Sequence, residues 1–245
     1  MTVRRLIAVL ALLAASPVAA LAGCAPEHHE GNAYTICRFE PATQPLELFN
    51  LNRDGEPLGN FTTLARTLAG EGKMLTFAMN AGMFDNKLRP IGLYVERGEL
   101  RKKLNRKGGF GNFHLKPNGV FWIEGSTAGV TETEAFAKSG QKPVFATQSG
   151  PMLVINGKIH PRFSEGGTSF KVRNGVGVTK TGEVVFALSE NAVTFYEFAA
   201  LFRDGLNTPN ALFLDGSISS LYSTELGRND GFLPLGPMVG AYEMK

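Results

Sequence analysis

Cysteine is scarce in this chain: Cys24 and Cys37 are the only two among 245 residues, beside four histidines. His28 and His29, with Glu30, fall on what reads as a flexible N-terminal segment, and no second cluster of ligand spacing follows. A structural zinc site, which needs four such ligands from fixed positions, is therefore not expected. Net charge is equally sparse, at +3 overall, and a near-neutral balance excludes the strongly basic surface of a nucleic-acid binder. Neither Ser149 nor Ser217 sits in a Gly-x-Ser-x-Gly elbow, which removes the simplest serine-hydrolase reading. No Pro/Ser-rich linker, low-complexity run or repeat divides the chain, so one domain with one sizeable core is expected over residues 23–245.

Long apolar runs are also missing. The one from Leu6 to Ala15 follows Arg4 and Arg5 and ends in small residues up to Gly23. It is too short to span a bilayer and has the layout of an export signal over residues 1–22. A periplasmic or secreted location follows. Cys24 then has two readings. It forms a disulfide with Cys37 in an oxidising compartment, or, because Leu21-Ala22-Gly23-Cys24 has the pattern of a bacterial lipobox, it becomes a lipidated N-terminus. Membrane attachment is expected only in the second case. A thiol nucleophile is expected in neither.

What is present is a series of short strand-like runs broken by glycine and asparagine. Tyr34–Phe39, Leu46–Leu51, Met74–Met79, Gly119–Ile123, Phe145–Ser149, Val184–Ser189 and Ala211–Leu214 read as strands. Arg97-Gly98, Asn156-Gly157 and Lys180-Thr181-Gly182 read as hairpin turns. Helical spacing is confined to Phe61–Ala69, Thr131–Lys138 and Thr194–Phe202. The fold class is α+β, with mixed or antiparallel sheets rich in hairpins and a few packing helices.

The most informative block is Asn210-Ala211-Leu212-Phe213-Leu214-Asp215-Gly216, a buried-strand pattern running into a carboxylate. A strand anchored in a core holds its terminal side chain rigidly, and a glycine beside it admits a ligand or second backbone. Asn80-Ala81-Gly82-Met83-Phe84, Gln148-Ser149-Gly150-Pro151 and Arg173-Asn174-Gly175-Val176-Gly177-Val178 also lie beside strand-like runs.

In that order these four motifs resemble the phosphodiester glycosidase family across nearly the whole mature chain. The resemblance implies hydrolysis of a sugar-1-phosphodiester, or glycosyl phosphodiester, to free sugar and phosphomonoester. It implies a pocket lined by Asn80 and Gly82, close backbone approach at Gly150, phosphate held by Arg173, and Asp215 as the catalytic carboxylate or its partner; Gly216 and Ser217, directly after it, are further candidate binding residues. An arginine fork suits phosphate oxygens, and a carboxylate suits the oxocarbenium-like charge at an anomeric carbon. Glu190 is the leading candidate for a second carboxylate and Asp85 the other. Together with Asp215 they offer oxygen ligands for calcium or magnesium. The alternatives are a non-catalytic envelope protein that binds sugar-phosphate polymers, and a phosphodiesterase that cuts on the phosphorus side.

Overall fold

The computed structural model describes residues 23–215 and 218–245. The expected export signal, Gly216 and Ser217 lie outside the described residues. In chain order, β1 (Gly23–His29), β2 (Asn32–Phe39) and β3 (Glu47–Phe49) precede helix α1 (Phe61–Ala69). Next come β4 (Lys73–Asn80), β5 (Tyr94–Glu96), β6 (Glu99–Lys102), β7 (Gly119–Glu124), β8 (Thr127–Glu132) and helix α2 (Thr133–Ser139). Then follow β9 (Phe145–Ser149), β10 (Met152–Ile155), β11 (Lys158–Ile159), β12 (Asn174–Val178), β13 (Val184–Ser189) and helix α3 (Phe195–Ala200). The chain closes with β14 (Asn210–Phe213), β15 (Leu221–Ser223), β16 (Arg228–Asn229) and β17 (Met238–Met244).

The strands form three sheets, ordered β1-β2-β13-β12-β14-β10-β11, β16-β15-β4-β17-β3 and β6-β5-β9-β7-β8, with antiparallel pairing throughout. Their inner faces meet at phenylalanines drawn from all three. Phe186 of the first sheet lies 5.2 Å from Phe77 of the second and 5.8 Å from Phe121 of the third, between ring centroids. The outer face of the first sheet is covered by α3. This is why β13 is buried at every position: Val184, Phe186 and Leu188 face the shared core, and Val185 and Ala187 face Phe198 and Phe202. Such a strand reads as a continuous apolar run rather than an alternating one. In β12 the residues facing α3 are glycines because the helix and its continuation press onto them: a Cβ on Gly175 would lie 3.1 Å from Phe198 Cε1, and one on Gly177 2.9 Å from Phe202 Cδ1. Helix α1 buries Phe61, Leu64 and Leu68 against Leu75 and Met238 of the second sheet.

Two expectations are corrected here. His28 and His29 lie in β1, paired with β2 in the register His28↔Ala33 and His29↔Asn32, so the segment is an ordered edge strand rather than a flexible tail. Thr131 and Glu132 end β8, pairing with Val120 and Gly119, and the helix begins two residues later than its spacing indicates. The Glu132 carboxylate then caps α2 by accepting the N–H groups of Glu134 and Ala135. Cys24 and Cys37 are directly opposite on β1 and β2 and form a disulfide, committing the sulfur that lipidation would need.

Candidate functional site

The strand registers carry every motif to one end of the molecule. Asn174 opens β12 opposite Leu188, near the end of β13, and Gly175 pairs with Phe213, the last residue of β14. Asn80 ends β4 opposite Met238 of β17, and Ser149 ends β9 opposite Gly119 of β7. All three sheets thus present the ends of central strands together, positions that a packed core holds rigidly.

At their meeting point lies a pair of buried amides. Asn174 and Asn80 are each 0% exposed. Asn174 Nδ2 donates to Asn80 O and Oδ1, both at 3.0 Å, and Asn174 Oδ1 accepts the backbone N–H of Asp215 at 3.0 Å. Asn80 Oδ1 also accepts the N–H of Ser220 at 2.9 Å. Both ends of the segment from Asp215 to Ser220 are therefore fixed by one amide couple bridging two sheets. The third sheet joins through Ser149, whose Oγ donates to Leu214 O at 2.7 Å, and Thr147, whose Oγ1 donates to Ala81 O at 2.6 Å. Asp215 itself is partly exposed, and its carbonyl accepts from Ser219 Oγ at 3.0 Å. The result is a partly accessible carboxylate on a backbone anchored at both sides.

Arg173 enters the same edge but is 1% exposed. Its Nε donates to Val193 O at 2.9 Å and its Nη2 to Ser169 O at 2.6 Å, so at most the other amino group is left for a ligand. The guanidinium lies 3.6 Å above the Phe195 ring centroid. Phe195 stacks on Phe163 (4.7 Å, 7°), and Phe163 on His160 (4.6 Å, 27°). This column accounts for a buried cation: the ring face and two carbonyls replace its water. Burial pulls the guanidinium down to about 10, which leaves it charged at neutral pH.

His160 closes the other end of the column, 1% exposed, with Nδ1 accepting the Arg162 N–H at 3.2 Å and Nε2 sealed from solvent. Burial lowers its proton affinity below the ordinary value of 6.5; a backbone contact at Lys116 opposes this, and the Arg162 charge adds to it. The folded protein therefore holds a neutral imidazole, while the unfolded chain takes up a proton as pH falls through 6.5. Stability should decline below that pH by this route. His160→Gln is expected to flatten part of the acid-side fall in unfolding midpoint between about pH 7 and about pH 5. An unchanged slope would show that His160 does not carry it.

Glu190 follows β13 on the far side of β12 from Asp215. Its Oε1 accepts from Thr35 Oγ1 at 2.6 Å and pairs with Arg228 Nη1 at 2.5 Å. Asp85 is exposed and caps its own turn, accepting the N–H groups of Lys87 at 2.9 Å and Arg89 at 3.1 Å. These N–H donors, with Arg89 and Lys102 nearby, hold its carboxyl below the usual range. Asp85, Asp215 and Glu190 do not converge: no group of three metal-binding side chains forms among the described residues.

Gly82 and Gly150 are points of close approach. Gly82 has φ +140°, and a Cβ there would lie 2.7 Å from Thr147 Oγ1; one on Gly150 would lie 2.6 Å from Asn118 Cβ. Both meet protein atoms, so each packs the site's framework. Gly82→Ala should cost roughly 1–3 kcal/mol, read as a lower denaturant midpoint at unchanged slope. Of the framework residues, Asn174 and Ser149 fall inside the quoted motifs without a role of their own, and Thr147 and Ser220 fall outside them. The available signal was a polar side chain at the end of a buried strand, where burial demands a partner.

With this geometry in place, comparison with known proteins defines the class. The described fold matches the catalytic domain of zebrafish N-acetylglucosamine-1-phosphodiester alpha-N-acetylglucosaminidase, which is auto-inhibited by its pro-peptide in that structure. The TM-score is 0.62 at 15% identity, over 90% of this chain and 81% of that one. A putative exported protein from Burkholderia pseudomallei matches with a TM-score of 0.56 at 10% identity, over 86% and 74% of the two chains. In sequence, the uncharacterized protein YigE of Escherichia coli is 40% identical over 190 residues, 78% of this chain and 73% of its own. The phosphodiester glycosidase family profile matches residues 73–233, and the chain belongs to that family.

Proposed function

We propose that this protein is an exported hydrolase that cleaves a sugar-1-phosphodiester between the anomeric carbon and its oxygen, giving free sugar and a phosphomonoester. The observation that carries the reading is Asp215, partly exposed and held at a strand end by the Asn80–Asn174 couple, in a chain of the phosphodiester glycosidase family. The zebrafish relative's name specifies the same bond class. Asp215 would stabilise positive charge developing at the anomeric carbon as the bond to the phosphate oxygen breaks. Water then supplies the new hydroxyl at that carbon, and the departing phosphate takes the bonding electrons. Because phosphate leaves readily, little protonation of the leaving oxygen is needed. Arg173, charged within its ring stack, would contribute positive potential and its remaining amino group to the phosphate.

Glu190 is the proposed second carboxylate, acting as base toward water. The strands β13 and β14 flank β12 on either side, so the two backbone positions stand about 9–10 Å apart at ordinary strand spacing. The disulfide and the exported neighbour support action in an oxidising compartment outside the cytoplasm.

The test is incubation of the purified protein with a panel of sugar-1-phosphodiesters, following free sugar and phosphomonoester by mass spectrometry. Free sugar is expected. Sugar-1-phosphate as the product would show cutting on the phosphorus side, and saturable binding without any product would show a binding protein.

A further inference from the structure

A cleft of about 350 Å³ opens on the same end of the sheets, where β5 begins and β6 ends. Tyr94 underlies it, 1% exposed, with its hydroxyl sealed from solvent beside the Glu96 carboxyl. Glu96, two residues further and on the same face of the strand, also lines the cleft. Arg97 pairs with Glu47 at 3.3 Å and Arg101, at the rim, with Glu99 at 2.8 Å; burial holds the Glu96 carboxyl above the usual range, with the two arginine charges acting against it. Asn50, 3% exposed, donates its amide nitrogen to Leu88 O at 2.9 Å, leaving its carbonyl oxygen for a ligand. Exposed Arg89, Arg101 and Lys102 stand around the mouth.

A carboxyl and an amide oxygen together recognise hydroxyl groups, and cations at the rim recognise an anion. Leu51, Glu96 and Arg101 also line a second depression, of about 290 Å³, that reaches Arg53 and Arg97. The groove is thus longer than a single sugar needs.

We propose that this groove is a subsite for a hydroxyl-rich anionic unit, a sugar phosphate or polyol phosphate, within an oligomeric substrate. The link to an oligomeric substrate rests on the glycosidase reading; binding in the cleft does not.

The experiment is an amide-shift NMR titration of the whole mature protein with α-glucose 1-phosphate and with glycerol 3-phosphate, each beside inorganic phosphate. The expected result is saturable shifts at the backbone amides of Tyr94, Glu96 and Lys102, with affinity weakened about tenfold or more in Glu96→Gln and in Arg101→Ala. Arg101 is a surface side chain, so its variant reports binding even if a change at Glu96 disturbs folding. Absence of saturable binding, shifts confined to other residues, or unaltered affinity in Arg101→Ala would overturn the proposal. Equal binding of inorganic phosphate would overturn its hydroxyl-recognition half. Asp215→Asn should bind both probes in the cleft as the wild type does. Intact cleft binding in a protein that turns over no phosphodiester would sink the hydrolase reading and leave the cleft standing.

Discussion

Asn174→Ala is expected to destabilise the protein by roughly 2–4 kcal/mol and to remove most turnover, although Asn174 is fully buried and touches no substrate. The change deletes the acceptor of the Asp215 N–H and both donor contacts to Asn80, leaving polar groups stranded where water does not reach. The two effects separate through Asn174→Asp. That variant keeps an acceptor for Asp215 N–H and for Asn80 Nδ2 but sets a carboxylate oxygen against Asn80 O and Oδ1, so the donor contacts are lost while the tie to Asp215 persists. Urea unfolding and kcat measured on both variants test the role. If Asn174→Ala lowered stability while leaving kcat untouched, the couple would be packing and would not position the carboxylate.

Asp215→Asn should lower kcat on the order of 10³-fold with substrate binding and unfolding midpoint little changed. The amide is nearly isosteric, and the backbone bonds to Asn174 and Ser219 persist. The negative charge facing the developing cation is lost. Because that charge matters most in the transition state, kcat should fall far more than KM rises. Steady-state kinetics on the best phosphodiester of the panel provide the check. Equal rates in variant and wild type would remove Asp215 from the reaction.

Much of the framework was legible in the sequence. Helix α1 and strands β9 and β13 fall where periodicity and apolar runs place them, because each buries a regular face against a core that wants nothing else. The hairpin at Asn156-Gly157 also forms as read, both residues adopting positive φ. Strand β1 was not legible. Its two histidines and glutamate carry no strand pattern, and it exists because β2 offers an edge and Cys37 a partner. Central β17 was missed for a similar reason: Gly240 lies where a Cβ would come 2.9 Å from Phe77 O, so a weak strand former is required by the close packing of its neighbours.

The site divides in the same way. Asp215 at a strand end was readable from its local block. The Asn80–Asn174 contact spans 94 positions and has no local signature, since either asparagine alone passes for a turn residue. The burial of Arg173 was invisible for the same reason, its stacking partner Phe195 lying on a helix that sequence patterning assigns only to the core.

The most direct test of the central claim is hydrolysis of the best phosphodiester in water enriched in oxygen-18, with the phosphomonoester analysed by mass spectrometry. Cleavage at the anomeric carbon puts the label on the sugar, and an unlabelled phosphomonoester is the expected result. A phosphate product carrying one oxygen-18 would place the attack on phosphorus and contradict the account.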